Sequence, residues 1–287
     1  MKNLNSPDYY TYPVVIGGVG GSGTRLITGI LNELGFFMGS DLNEAYDNLW
    51  FTLLFKRKGI LTVPEDEFSE LVEIFLKGMS GSENFTKKQT ELINQLTLTD
   101  RKEHSTKWLK KRAHALLSKK KLKIQSSSMW GWKEPNSHIV LDRLIPHFRN
   151  IKYIHVTRNG LDMAHSSNQN QLKFWGQEFI GTNFEITPRS SLRYWCIVHK
   201  RVLEIGRSMG SNFLFLNYDD FCTNPENGIY MLRRFLGLDD RKISVSALTD
   251  MVDAPASIGR FKQHGTDIFD GEDVAYVKKL GFDTEAT

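Results

Sequence analysis

Ile16-Gly17-Gly18-Val19-Gly20-Gly21-Ser22-Gly23-Thr24-Arg25 sets five glycines in the seven positions from Gly17 to Gly23. Just upstream, Tyr12-Pro13-Val14-Val15-Ile16 is apolar and rich in β-branched residues, the pattern of a buried strand. Just downstream, Thr24 to Leu34 spaces Leu26, Ile30 and Leu34 along one helical face. A strand, a glycine turn and a helix in that order open a nucleotide-binding α/β fold. Glycines let successive backbone N–H groups converge on one point, and the helix that follows turns its positive end toward it. The stretch therefore predicts an anion cradle built from Gly21, Ser22, Gly23 and Thr24, with the two hydroxyls as added donors.

The identity of the anion turns on what is missing. A nucleoside-triphosphate loop of the form G-x-x-x-x-G-K-[ST] needs a lysine for the β/γ-phosphates and a hydroxyl for magnesium. Counted from Gly18 to Gly23, the lysine position holds Thr24 and the hydroxyl position holds Arg25. Both chemically necessary places fail, which disfavours an ATP-dependent P-loop-like kinase and keeps it only as an alternative.

Outward from the loop, the pattern changes twice. From Asp41 to about residue 125 it is helical without a clear strand, and Thr86 to Lys123 is strongly basic, as a solvated face would be. The strand and helix alternation then resumes. Met129–Lys133 reads as a short strand, Asn136–Phe148 as a helix, Ile151–Thr157 as a strand and Gly160–Gln169 as a helix. Pro188–Met209 reads as a long helix with Trp195, Val198, Val202 and Ile205 on one stripe. Asn212–Tyr218 reads as a strand, and Asn224-Pro225-Glu226 opens a helix that Gly237 closes. From about residue 253 to 287, glycine, proline and polar residues predict a partly mobile tail. The simplest organisation is a single domain over residues 1–287, with a helical insertion at about 41–125.

Composition narrows the class. Of the 287 residues, 40% are hydrophobic and 24% charged, ordinary values for a globular protein with a full core. The net charge of +4 is too small to imply nucleic acid as a partner, yet it suits a polyanionic ligand. No apolar run approaches the roughly 20 residues of a membrane span. The start of the chain carries no apolar signal segment. Cys196 and Cys222 lie in apolar-patterned stretches and read as buried free thiols. These features together predict a reducing, cytoplasmic setting.

Ser22-Gly23-Thr24 resembles the centre of the 5′-phosphosulfate loop of sulfotransferases that use 3′-phosphoadenosine 5′-phosphosulfate (PAPS), commonly [KR]-S-G-T-[TS]. Gly17-Gly18-Val19 is similar to the approach to that loop in tyrosylprotein sulfotransferases. Gly21 stands where the family usually has its basic residue, and Arg25 lies four positions later. Tyr153-Ile154-His155-Val156-Thr157-Arg158, followed by Ser166 eight residues after Arg158, resembles the family's 3′-phosphate motif. An arginine at a strand end and a serine about two turns into the next helix can hold one phosphate together. Leu216-Asn217-Tyr218-Asp219-Asp220-Phe221 resembles the segment whose tyrosine meets adenine, a role carried to Tyr218. Ser257-Ile258-Gly259-Arg260-Phe261 resembles the late loop that closes over the donor, which makes Arg260 a second candidate for the 3′-phosphate.

This resemblance spans Val14–Leu34 and Trp132–Phe261. It implies a P-loop-like three-layer α/β/α fold with a central, mainly parallel sheet, PAPS as co-substrate and no metal. It leaves the acceptor open among small molecules, carbohydrates and peptides, and the oligomeric state open as well. In-line sulfuryl transfer needs donors on the sulfuryl oxygens, a cation on the leaving 5′-phosphate and a base for the acceptor's proton. Arg25 and Lys133 are the candidate cations, the latter because a strand end in such a sheet delivers its side chain to the ligand crevice. Asp41 and Glu134 are the candidate bases. Trp130, Trp132 and Trp175 are either core or an acceptor surface. A non-catalytic PAP-binding protein of the same fold, its loop cation lost at Gly21, is the remaining alternative.

Overall fold

The structure, a computed structural model, describes residues 12–81, 84–118, 129–238 and 244–285. Residues 119–128, which include the end of the basic stretch, lie outside the described residues.

Four strands form one sheet in the order β2-β1-β3-β4: β1 is Val14–Gly18, β2 Gly131–Lys133, β3 Lys152–Thr157 and β4 Phe213–Asn217. β2 runs parallel to β1, with Ile16 opposite Lys133. β4 runs parallel to β3, with Thr157 opposite Asn217. Every residue of β1 and β2 is buried, which is why both read as unbroken apolar or glycine-containing runs rather than as alternating ones. This is the α/β arrangement expected from the sequence, with a helical excursion between β1 and β2 in chain order. The helix α1, Thr24–Glu33, follows β1 after the glycine turn.

The sequence reads as one domain, and the fold groups into two compact units, each discontinuous in sequence. One takes the chain up to Ile16 and Leu31–Lys152; the other takes Gly17–Ile30 and the chain from Tyr153 onward.

The first unit holds α2 (Leu49–Phe55), α3 (Glu65–Ser80), α4 (Lys87–Leu96), α5 (Thr106–Leu117) and the short α6 (Leu141–Leu144). Its centre is aromatic. Phe51 stacks on Trp132 at 5.9 Å between centroids, and Phe75 meets Trp132 edge-on at 5.1 Å. Arg101 is buried and caps the end of α2 by donating to the carbonyls of Thr52, Leu53 and Lys56. Carbonyls at a helix end lack full backbone pairing, and the guanidinium adds donors there, with the Thr52 carbonyl also accepting the Lys56 N–H at 3.2 Å. Burial lowers its pKa to about 10. The helix expected over Asn136–Phe148 is instead α6 flanked by two 3-10 segments, Pro135–Val140 and Ile145–His147. Pro146 lacks the N–H a continuous α-helix needs there.

The second unit holds α7 (Gly160–Ala164), α8 (Asn170–Phe179), α9 (Pro188–Met209), α10 (Tyr218–Thr223), α11 (Pro225–Leu236), α12 (Val245–Thr249) and α13 (Gly271–Lys279). α9 has the predicted bounds, opened by a capping box between Thr187 and Ser190. Gly237 closes α11 with φ of 72°, the left-handed cap expected of it. The stretch from 253 reads in the sequence as a partly mobile tail. Its described residues instead fold back: Phe261, Phe269, Val277 and Phe282 are buried in one cluster with Leu161, Trp195 and Cys196. Both cysteines are free and buried.

Candidate donor site

Gly17 and Gly18 end β1, Arg158 follows the last residue of β3, and Tyr218 follows the last residue of β4. The second unit therefore carries a glycine turn, an arginine and a tyrosine at the carboxyl ends of its strands, where ligands of open α/β sheets bind.

The turn is held from inside. Ser22 N–H donates to the Val19 carbonyl at 3.0 Å, and Leu26 N–H donates to the Gly23 carbonyl at 3.1 Å. Gln171 on α8 donates from Nε2 to the Gly18 carbonyl at 2.9 Å. Ser22 is 1% exposed, and its buried Oγ has no hydrogen-bond partner among the described residues. A buried hydroxyl of this kind costs stability unless a ligand accepts from it, which suits an anion held at the turn. Thr24 is buried on the first turn of α1, and Arg25 beside it is exposed.

Two glycines have a conformational reason. Gly21 has φ of 95°, so the lysine or arginine usual at that place would sit in the left-handed region that L side chains rarely adopt. The missing cation is thus tied to the backbone path of the turn. Gly23 has φ of 94°, and a Cβ there would stand 2.2 Å from two ring carbons of Tyr218. The tyrosine ring packs directly against the loop.

Arg158 is tied to both sides. Its guanidinium carbon lies 5.6 Å from the Tyr218 ring centroid. Nε donates to Asp219 at 3.3 Å, and Nη2 donates to the Ser257 hydroxyl at 3.0 Å. The other Asp219 oxygen accepts the Asn159 N–H at 2.8 Å. One carboxylate thereby orients the arginine and the turn that follows it. Arg260 donates from Nη1 to the His165 carbonyl at 3.3 Å, which brings the late loop beside the residue before Ser166.

Ser166 differs from expectation. α7 stops at Ala164, so Ser166 lies beyond the helix rather than two turns into it. Side chains replace the continuing ladder: Gln169 donates from Nε2 to the carbonyls of Met163 and Ser166, and Ser166 Oγ accepts the Asn168 N–H at 3.2 Å. Arg158 and Ser166 both stay partly exposed.

The remaining candidates belong to the first unit. Lys133 ends β2 and is 2% exposed; its ammonium donates to the Ala45 carbonyl at 2.9 Å and to Asp47. Glu134 is also 2% exposed, accepting from Asn136 N–H at 2.6 Å and Nδ2 at 2.9 Å, with Lys56 Nζ at 3.8 Å. Burial, with the nearby Asp47 charge, raises its pKa against the pull of Lys56. Asp41 pairs with Arg112 at 2.5 Å, while its Oδ2 is buried and without a hydrogen-bond partner among the described residues. Burial outweighs Arg112 and Lys111 and raises its pKa. Trp130, Trp132 and Trp175 are all buried, which makes them core.

Sequence reading missed Asp219, Ser257 and Gln171. Asp219 and Ser257 lay inside quoted motifs, with no signal for which of their neighbours they would bond. Gln171 carried no signal, because its partner is a backbone carbonyl more than 150 positions away.

Comparison with known proteins bears on the family and the fold. A family model described as the sulfotransferase family matches residues 13–242. No curated protein matches the chain. Among solved structures, the sulfotransferase domain from the Synechococcus PCC 7002 olefin synthase is 18% identical with a TM-score of 0.52, covering 99% of this chain and 100% of that one. The sulfotransferase domain from the curacin biosynthetic pathway is 11% identical with a TM-score of 0.47, covering 96% of this chain and 99% of that one. The first of these likenesses shows the α/β fold. No helix among the described residues is long and apolar enough to cross a membrane.

Proposed function

Since the chain belongs to the sulfotransferase family, we propose that it moves a sulfuryl group from PAPS to a hydroxyl or amine acceptor. The observation that carries this reading is the packing of Tyr218 under the Gly23 turn with Arg158 beside the same ring. That arrangement offers an amide-lined anion cradle, an aromatic face for the base and a guanidinium for a ribose-bound phosphate within one unit.

In the reaction, the bond between sulfur and the 5′-phosphate oxygen breaks as the bond from sulfur to the acceptor oxygen or nitrogen forms. The acceptor's proton leaves to a base, and PAP departs. Gly21, Ser22, Gly23 and Thr24 hold the sulfuryl and 5′-phosphate oxygens through N–H and O–H donors. Arg158, Ser166 and Arg260 hold the 3′-phosphate, and Tyr218 stacks on adenine. Arg25 is exposed on the first turn of α1 and is free to turn toward the leaving phosphate. Lys133, Asp41 and Glu134 are carried as further catalytic candidates. Burial raises the pKa of Asp41 and of Glu134, the direction that strengthens a carboxylate as a base. Two buried free thiols support a cytoplasmic setting.

The test is transfer from radiolabelled PAPS to phenol, sugar and tyrosyl-peptide acceptors, with PAP release followed in parallel. We expect acceptor-dependent label transfer that falls at least about a hundredfold in Arg158→Ala, the loss of a charge-assisted phosphate contact together with its orientation. Phosphoryl transfer from ATP with magnesium, and none from PAPS, overturns the reading.

A further inference from the structure

Asp162 stands on α7, four residues after Arg158, and is 3% exposed. Both oxygens of its carboxylate reach a piece of chain almost a hundred residues away. Oδ2 accepts the Gly259 N–H at 2.7 Å, and Oδ1 accepts the Phe261 N–H at 2.9 Å. Arg260 sits between those two amides, and its guanidinium reaches the His165 carbonyl. Two residues before the first amide, Ser257 Oγ accepts from Arg158 Nη2. The Phe261 side chain is fully buried beside Leu161 and Trp195, so the end of this loop is plugged into the core as well.

We propose that Asp162 is a positioning residue for donor binding, a latch that fixes the Ser257–Phe261 loop so that Ser257 and Arg260 are presented beside Arg158. The inference rests on the PAPS reading above. Its physical basis is the number of acceptors. Two N–H groups two residues apart must both be satisfied inside the protein, and a carboxylate supplies two acceptor oxygens and no donor. Asparagine at this position supplies one oxygen and turns an NH2 toward the second N–H. With one amide unsatisfied, the loop gains by opening to water. Burial resists the charge on Asp162 while the two N–H groups favour it, and burial is the larger effect. A buried carboxylate whose two oxygens each accept a backbone N–H is an arrangement for holding backbone.

The test measures amide hydrogen exchange and PAP affinity in Asp162→Asn, in Ser257→Ala/Arg260→Ala, and in the triple variant, with 5′-AMP as the ligand lacking a 3′-phosphate. In Asp162→Asn we expect exchange across Gly259–Phe261 to quicken at least about tenfold, the loss of roughly one buried hydrogen bond. PAP affinity falls about tenfold while 5′-AMP affinity changes less than about twofold, and KM for PAPS rises with kcat nearly unchanged. Added to the Ser257→Ala/Arg260→Ala background, the same substitution changes PAP affinity less than about twofold, the non-additivity of residues acting through one another. Unchanged exchange, or equal losses for PAP and 5′-AMP, overturns the latch. Failure of the unaltered protein to bind PAP sinks the donor reading, whereas normal PAP binding in Asp162→Asn sinks the latch alone. If Asp162→Asn melts too low for binding work, Asp162→Glu takes its place. It keeps the charge but displaces both oxygens, and the same outcomes decide.

Discussion

The ring of Tyr218 lies so close to Gly23 that the Cβ of any other residue there would stand 2.2 Å from two of its carbons. The phosphate-binding turn and the first residue after β4 are therefore one packed object. The turn's shape depends on a side chain about two hundred positions away in sequence.

Gly23→Ala breaks that object twice, through a positive φ and through the clash. The backbone part alone costs about 1–2 kcal/mol, and the ring must also move. Gly237→Ala is the control: its φ is also positive, but nothing lies within 4 Å of the added carbon. We expect both variants to melt lower, with PAP affinity falling at least about tenfold only in Gly23→Ala. Calorimetry with thermal melts checks this.

Arg158→Lys keeps the charge and loses the fork. The guanidinium bonds Asp219 and Ser257 through different nitrogens, which one ammonium on a flexible stem cannot reproduce. PAP affinity should fall by about tenfold or more, the worth of a charge-assisted bond, with 5′-AMP affinity little changed. Titration with each ligand reads the difference.

Lys133 is almost fully buried against Asp47, which is itself 23% exposed on its side chain. Removing either partner strands a charge, and Lys133→Ala should lose about 2–3 kcal/mol of stability. Asp47→Asn should lose a similar amount if the pair is the only role of either residue. Denaturant melts measure the loss. Transfer rates on the folded fraction then separate the roles, since a catalytic Lys133 lowers kcat well beyond the effect of Asp47→Asn.

His199 is buried, with Nε2 at 2.7 Å from the Thr157 hydroxyl and Nδ1 at 2.6 Å from the Trp195 carbonyl. Burial lowers its pKa from 6.5 to about 3. The folded state therefore holds it neutral where the unfolded chain begins to protonate it. Its contribution to stability is complete above pH 6.5 and is lost as pH falls toward 3, by at most about 1.4 kcal/mol per pH unit. The stability gap between the unaltered protein and His199→Phe should narrow as pH drops from 7 to 4.5. A gap independent of pH contradicts this.

Much of this fold is legible in the sequence because its signals are local. Glycines between an apolar run and an amphipathic one announce β1 and α1, and Gly237 fixes the end of α11. Arg158, Tyr218 and Arg260 were legible as residues at strand ends and in a late loop. What holds them was not. Asp219, Asp162 and Gln171 act on partners far away in sequence, and periodicity carries no information about such pairs. Ser166 was misplaced for a related reason, since the end of α7 is decided by Gln169 and Ser166 side chains that compete with the backbone ladder. The region after 253 reads as loose because its buried anchors, such as Phe261 and Val277, are widely spaced among polar residues.

Titration of the unaltered protein with PAP and with ADP, each with and without magnesium, bears most directly on the donor assignment. The 3′-phosphate site at Arg158 predicts metal-independent binding of PAP at least about tenfold tighter than ADP, a difference of about 1.4 kcal/mol or more. ADP binding as tightly as PAP, or only ADP with magnesium binding at all, would contradict it.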